Sequence, residues 1–169
     1  MSGVAEAEQH LALVGSENRA AVLVDELRAT PHKPSARKLL REWFNVCDAL
    51  APYRHDLREQ FERVGFVTDT TESLVLPATV YRAAWPDDAS SEALSWTLDR
   101  EIAEMFARLL VSPRAWFLGI KRDDCDPHIF QGFCTEAYGY LTSRGESEVI
   151  AKTVEAIQPI AILTSKESA

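Results

Sequence analysis

A change of period at Gly65 constrains this chain more than any other feature. Before it, apolar residues recur at helical spacing; after it, short β-branched and apolar runs alternate with polar turns. Ala20, Leu23, Val24 and Leu27 share one helical face, and Pro31 and Pro34 then interrupt the chain. Ser35 is placed to cap the next helix, whose stripe is Leu39, Trp43, Val46, Cys47 and Leu50. Pro52 suits the first turn of a further helix with the stripe Tyr53, Leu57, Phe61 and Val64, and Gly65 suits its stop. Helices over 1–72 followed by strands over 73–169 predict an α+β fold within one globule, not a parallel βαβ array.

The second region opens with Leu74 to Tyr81, which reads as a strand starting after Pro77 or lying at an edge. Ala93 to Trp96 is a short extended piece. Thr97 can cap a helix with Asp99 and Glu101 in its first turns and Ile102, Phe106, Leu109 and Leu110 on its buried face. Ala115 to Ile120 and Phe130 to Leu141 contain strand-like segments, and Glu148 to Ala151 and Ile160 to Thr164 read as the final strands.

Composition narrows the function classes. With 169 residues, 46% hydrophobic and 26% charged, the chain can bury a real core. A net charge of −8 argues against sequence-independent nucleic-acid binding, which needs a basic surface. No apolar run approaches the roughly 20 residues that span a bilayer. The opening Met1-Ser-Gly-Val-Ala-Glu-Ala-Glu-Gln carries acidic residues where a secretory signal carries basic ones. Cys47, Cys125 and Cys134 are an odd set without CxxC spacing, which fits buried thiols in a reducing cytoplasm. The loop Asp123-Asp-Cys-Asp-Pro-His128 lacks a second ligand cluster and the glycine of a calcium loop, so it reads as a solvated turn and no metal is expected. His10, His32 and His55 are scattered and give no nucleophile–base signature.

Three short segments carry the chemistry: Val80-Tyr81-Arg82-Ala83; Leu94-Ser95-Trp96-Thr97 followed by Asp99-Arg100-Glu101-Ile-Ala-Glu-Met-Phe-Ala107; and Arg144-Gly145-Glu146-Ser147-Glu148-Val149. Singly, each has a plainer reading. Arg82 suits a surface strand, Thr97 a helix cap, and Arg144, Glu146 and Glu148 a charged strand edge. In this order, over roughly Pro77 to Ala151, they resemble the Arg–Ser–Glu class of mono-ADP-ribosyltransferases, closest to short phage-type and bacterial members. The resemblance implies a core of two antiparallel sheets forming an NAD cleft, with helices before it. It implies NAD as substrate, a protein acceptor, and an enzyme acting in the cytoplasm of the cell that makes it or of a host.

By that resemblance Arg82 grips NAD, the Ala83 backbone faces the nicotinamide carboxamide, and Ser95 and Thr97 stand in the second motif. Glu148 matches the catalytic glutamate, and Glu146 the upstream residue that helps activate an arginine acceptor. The chemistry is sufficient in itself. Nicotinamide leaves from a cationic ring, so one carboxylate can steady the oxocarbenium-like sugar, a guanidinium can anchor the pyrophosphate, and a hydroxyl can orient the carboxylate. Glu146 and Glu148, two apart in an extended segment, project to the same side. The chain departs from the family pattern where Ala83 replaces the common glycine, and in the short connection from Arg82 to Ser95. Tyr138, Tyr140 and Trp85 are candidates for the aromatic beside nicotinamide. Two rival readings stay open: an NAD glycohydrolase with water as acceptor, and a silent member that binds NAD or a partner as a regulator.

Overall fold

The computed structural model describes residues 2–88, 90–117, 122 and 124–163. By compactness the chain divides into two units, Met1–Thr71 and Glu72–Ala169.

The first unit holds α1 (Ser2–Leu13), α2 (Ser16–Ala29), α3 (Lys33–Trp43), α4 (Arg54–Val64) and a two-residue strand, β1 (Val67–Thr68). The apolar period of α2 is realised as read, with Ala20, Leu23, Val24 and Leu27 all buried. Leu57, Phe61 and Val64 form the buried stripe of α4. Gly65 ends that helix with φ 79°, a left-handed conformation that favours glycine, and its N–H donates to the Phe61 carbonyl at 2.9 Å. Phe44 and Phe61 meet edge to face, ring centroids 5.3 Å apart. Two arginines donate to carbonyls at helix ends. Arg19 donates to Leu11, Val14 and Val46, and Arg63 to Leu27 and Thr30.

Three boundaries differ from the sequence expectation, one of them at α4, which starts at Arg54 with Pro52 in a separate 3₁₀ turn over Ala51–Tyr53. Helix α3 starts at Lys33, before Ser35, with Pro34 in its first turn, where a missing N–H costs nothing. Ser35 Oγ instead lies 2.9 Å from His32 Nδ1. The same helix stops at Trp43 and tightens into a 3₁₀ turn over Phe44–Val46, so Phe44, not Val46, is the buried residue there.

The second unit contains β2 (Ala78–Ala84), β3 (Ser95–Thr97), α5 (Arg100–Val111), α6 (Pro113–Phe117), β4 (His128–Leu141) and β5 (Glu148–Ile162). Strand β2 starts directly after Pro77, as the missing donor of proline requires. Pairing is antiparallel throughout β2–β4, β2–β3, β3–β5 and β4–β5, so these four strands close into a ring. The two segments read as separate final strands are one, β5. It continues through Pro159 because Ala156 at φ 51° and the register shifts against β4 absorb the irregularity. These shifts let so long a pair bend far enough to share neighbours with β2 and β3. Gly132 sits at one of them, opposite Val80, where an added Cβ would lie 2.5 Å from Val154 Cγ1.

Val80, Ala84, Trp96, Phe130, Cys134, Tyr140, Val149 and Val154 form the main apolar core of this unit. Helix α5 packs on Ile129 through Ala103 and Ala107, with Tyr81 and Ala83 beside them. This shifts the expected helix face: of Ile102, Phe106, Leu109 and Leu110, the first and last are half-buried and the other two exposed. Met105, Phe106 and Leu109 are exposed because two alanines let the helix approach the sheet closely. Residues 115–117, read as the start of a strand, belong to helix α6, where Pro113 takes the helix start. The rest of that segment, like Asp123 and Thr164, lies outside the described residues. No helix among the described residues is long and apolar enough to cross a membrane.

Candidate active site

The three chemical segments sit on β2, β3 and the start of β5, and the strand pairing brings them together. Thr97 is directly opposite Tyr81 on one side and Glu148 on the other. Ala151 N–H donates to the Leu94 carbonyl at 2.7 Å and Leu98 N–H to the Ser147 carbonyl at 3.1 Å. These bonds turn the backbone groups of Leu94 and Leu98 toward β5, and strand alternation then turns those of Ser95 toward β2. The β2–β3 ladder has one residue pair, Tyr81 with Thr97. Beyond it the Ser95 carbonyl accepts from the Arg82 guanidinium, whose Nη1 donates at 2.6 Å.

The other end of Ser95 completes the line. Its hydroxyl donates to Glu148 Oε1 at 2.5 Å. One serine therefore holds a cation through its backbone and an anion through its side chain. Glu148 is only 6% exposed, and its second oxygen, Oε2, is buried without a hydrogen-bond partner. Burial pushes its carboxyl up to about 7, while the Ser95 bond, and more weakly Arg144 and Arg82, pull the other way. An acid so placed is poised between its two forms near neutrality.

Thr97 has a different job from the cap expected of it. Its hydroxyl donates to the Glu146 carbonyl at 2.6 Å and accepts from the Asp99 N–H at 3.0 Å. Asp99 is the actual cap of α5, its side chain accepting from the Glu101 N–H at 2.8 Å. Threonine thus ties the Glu146–Glu148 segment to the entry of the helix. Glu146 is half-buried, and burial raises its carboxyl above the ordinary range against the opposing pull of Arg144. Ala83 pairs with Ile129, and its side chain packs beside Ala103 and Ala107.

The aromatic candidates divide differently. Tyr140 belongs to the main core, and Tyr138 and Trp85 are also buried. Tyr138 has Lys152 Nζ 5.8 Å from its ring centre. Sequence reasoning did not single out the Trp96 indole, which donates to the Ala93 carbonyl at 2.9 Å and is almost fully buried. It pins β3, and with it Ser95 and Thr97; the signal was a large aromatic between two hydroxyl residues in a short strand.

The acidic loop is organised by a cation of its own. Arg122 donates to Asp87 at 2.6 Å and to Asp124 at 3.2 Å, and it holds both carboxyls below their usual range. Among the described residues, no group of three or more His, Cys, Asp or Glu could hold a metal ion. The three cysteines are free thiols. Comparison of the chain with protein-family models, with curated proteins and with solved structures finds no match in any of the three.

Proposed function

We propose that the chain is an NAD-dependent mono-ADP-ribosyltransferase whose acceptor is a protein arginine. The observation that supports this most is the hydrogen-bonded line from Arg82 through Ser95 to Glu148, residues of three different strands that end on one buried carboxyl. The unpartnered Glu148 Oε2 fits a group that waits for a donor from a ligand, such as a ribose hydroxyl.

In this reading Arg82, oriented by the Ser95 carbonyl, meets the pyrophosphate of NAD with its planar fork of donors. Glu148 faces the nicotinamide ribose. The bond between ribose C1′ and the ring nitrogen breaks, and its electron pair leaves with neutral nicotinamide. The positive charge left on the sugar develops beside a carboxylate already fixed by Ser95, so little reorganisation accompanies it. An acceptor guanidinium nitrogen then bonds to C1′, and Glu146 takes the proton it sheds. Burial makes Glu146 a better base than an exposed glutamate.

The test is incubation of the purified chain with adenylate-labelled NAD and an arginine-rich polypeptide. The expected result is nicotinamide release together with label on the polypeptide. Glu148→Gln should abolish both, and Glu146→Gln should reduce transfer more than release. Release with only free ADP-ribose as product would make water the acceptor and the enzyme a glycohydrolase. NAD binding by calorimetry without any release would leave a silent binding protein and overturn the proposed activity.

A further inference from the structure

Ser147 holds a backbone conformation that serine seldom adopts, and it does so between the two carboxylates of the candidate site. Its φ is 44°, in the left-handed region where a Cβ crowds the carbonyl that follows. The Ser147 hydroxyl bonds to no other described residue, so the side chain does not account for the conformation. The neighbouring strand does. The Thr97 hydroxyl donates to the Glu146 carbonyl at 2.6 Å, and the Leu98 N–H donates to the Ser147 carbonyl at 3.1 Å. Two consecutive residues at the exit of β3 thus clamp the kink, and Thr97 is itself buried and accepts from the Asp99 N–H. Regular extended backbone would turn the side chains of Glu146 and Glu148 to one side. The left-handed residue between them breaks that alternation, and the two carboxyls end in different company. Glu146 Oε1 lies 3.6 Å from Arg144 Nε, whereas Glu148 Oε1 accepts from the Ser95 hydroxyl at 2.5 Å. Glu148 does not depend on the kink, because pairing with Thr97 and Leu141 already fixes its place in β5.

We propose that Ser147 is a positioning residue whose left-handed backbone sends Glu146 to the acceptor and Glu148 to the ribose, and so sets the share of ADP-ribose that goes to protein instead of water. The inference rests on the activity proposed above. In either outcome the bond between C1′ of NAD and the ring nitrogen breaks, and its electron pair departs on nicotinamide. With Glu146 in place, a guanidinium nitrogen of the acceptor bonds to C1′ and its proton passes to Glu146. With Glu146 displaced, a water oxygen bonds to C1′ and the proton passes to solvent. The kink therefore acts after the first bond is broken, on the choice of nucleophile. A strained residue held by its surroundings at such a branch point is what a positional role requires.

The readout is a ratio, label on an arginine-rich polypeptide divided by nicotinamide released, measured with adenylate-labelled NAD. Loss of folded protein lowers both quantities together and leaves the ratio where it was. Ser147→Gly, which adopts the left-handed region freely, should keep the ratio within about twofold of wild type. Ser147→Val, whose branched side chain disfavours that region, should lower it about fivefold or more while nicotinamide release continues. Thr97→Val removes the hydroxyl that clamps the kink and should lower the ratio in the same direction, which keeps the test open if Ser147→Val does not fold. Thermal melting of the position-147 proteins checks the backbone itself, with glycine at or above serine and valine below it. A ratio unmoved in folded Ser147→Val and Thr97→Val, or a ratio that falls as far with glycine as with valine, would overturn the inference and leave the proposed activity standing. No nicotinamide release from the folded wild type would remove the proposed activity, and this inference with it.

Discussion

Replacing Glu148 by glutamine should abolish the pH dependence that this one group imposes on stability. In the folded chain its carboxyl is pushed from 4.5 up to about 7, chiefly by burial. A raised acid favours the folded state only while it is protonated. Below about 4.5 both states carry the proton and nothing is lost; as pH rises through about 7, the unfolded chain ionises freely and the folded chain does so at a cost. At 1.36 kcal/mol per pKa unit, the full penalty above pH 8 is about 3 kcal/mol. Roughly 2–3 kcal/mol of it accumulates between pH 5 and pH 8. Glutamine keeps an oxygen for the Ser95 hydroxyl and cannot ionise, but its amide donors enter the place where Oε2 has no partner. That mismatch costs about 1–3 kcal/mol at every pH. The variant should therefore be less stable than wild type at pH 5 and equal or better at pH 8. Urea unfolding at both pH values measures it, because contributions common to the two proteins cancel. Parallel pH profiles for wild type and Glu148→Gln would refute the reasoning, since they would mean that the carboxyl titrates alike folded and unfolded.

Other expectations are independent of this one. Gly132→Ala should destabilise the chain by about 1–3 kcal/mol, because its Cβ would meet the Val154 side chain and the Glu155 carbonyl inside the β4–β5 pair; thermal melting reads it. A thiol reagent under native conditions should label Cys125 before Cys134, whose fully buried thiol is pushed up to about 11; equal rates would contradict the packing. For the proposed activity, kcat/KM for nicotinamide release should rise with pH through about 7 as Glu148 ionises in the free enzyme, and Ser95→Ala should move that midpoint upward because a bond to the charged form is lost. A midpoint unmoved by the serine change would mean that the hydroxyl does not hold the carboxylate in solution.

Local patterns carried the helices well where one residue type had one use. The α2 stripe and the Gly65 stop follow from spacing and backbone freedom alone. The reading failed where two residues competed for a role. Thr97 and Asp99 can both cap α5; Asp99 takes the role because the helix starts at Arg100, while the threonine hydroxyl accepts from the Asp99 N–H and donates to the carbonyl of Glu146, a residue distant in sequence. Bulky side chains on α5 look like a core face, yet Ala103 and Ala107 win because close approach to β2 leaves room only for methyl groups. Pro159 looks like a strand end, and only the register shifts of β5 against β4 reveal that the strand runs through it. The candidate site residues were legible as types in an order. Their meeting was not, since the Arg82–Ser95 contact runs to a main-chain oxygen that every residue possesses.

That last contact divides the evolutionary exposure of the cluster. Substitution at position 95 can delete the hydroxyl that steers the acid, but it leaves the carbonyl that the guanidinium grips. A survey of variants at this serine would register the anionic arm alone and be blind to the cationic one. The latter would yield only to changes at Arg82 or to an edit of the peptide bond itself, such as an ester replacing the amide that follows Ser95, which would weaken the oxygen as an acceptor without altering any side chain.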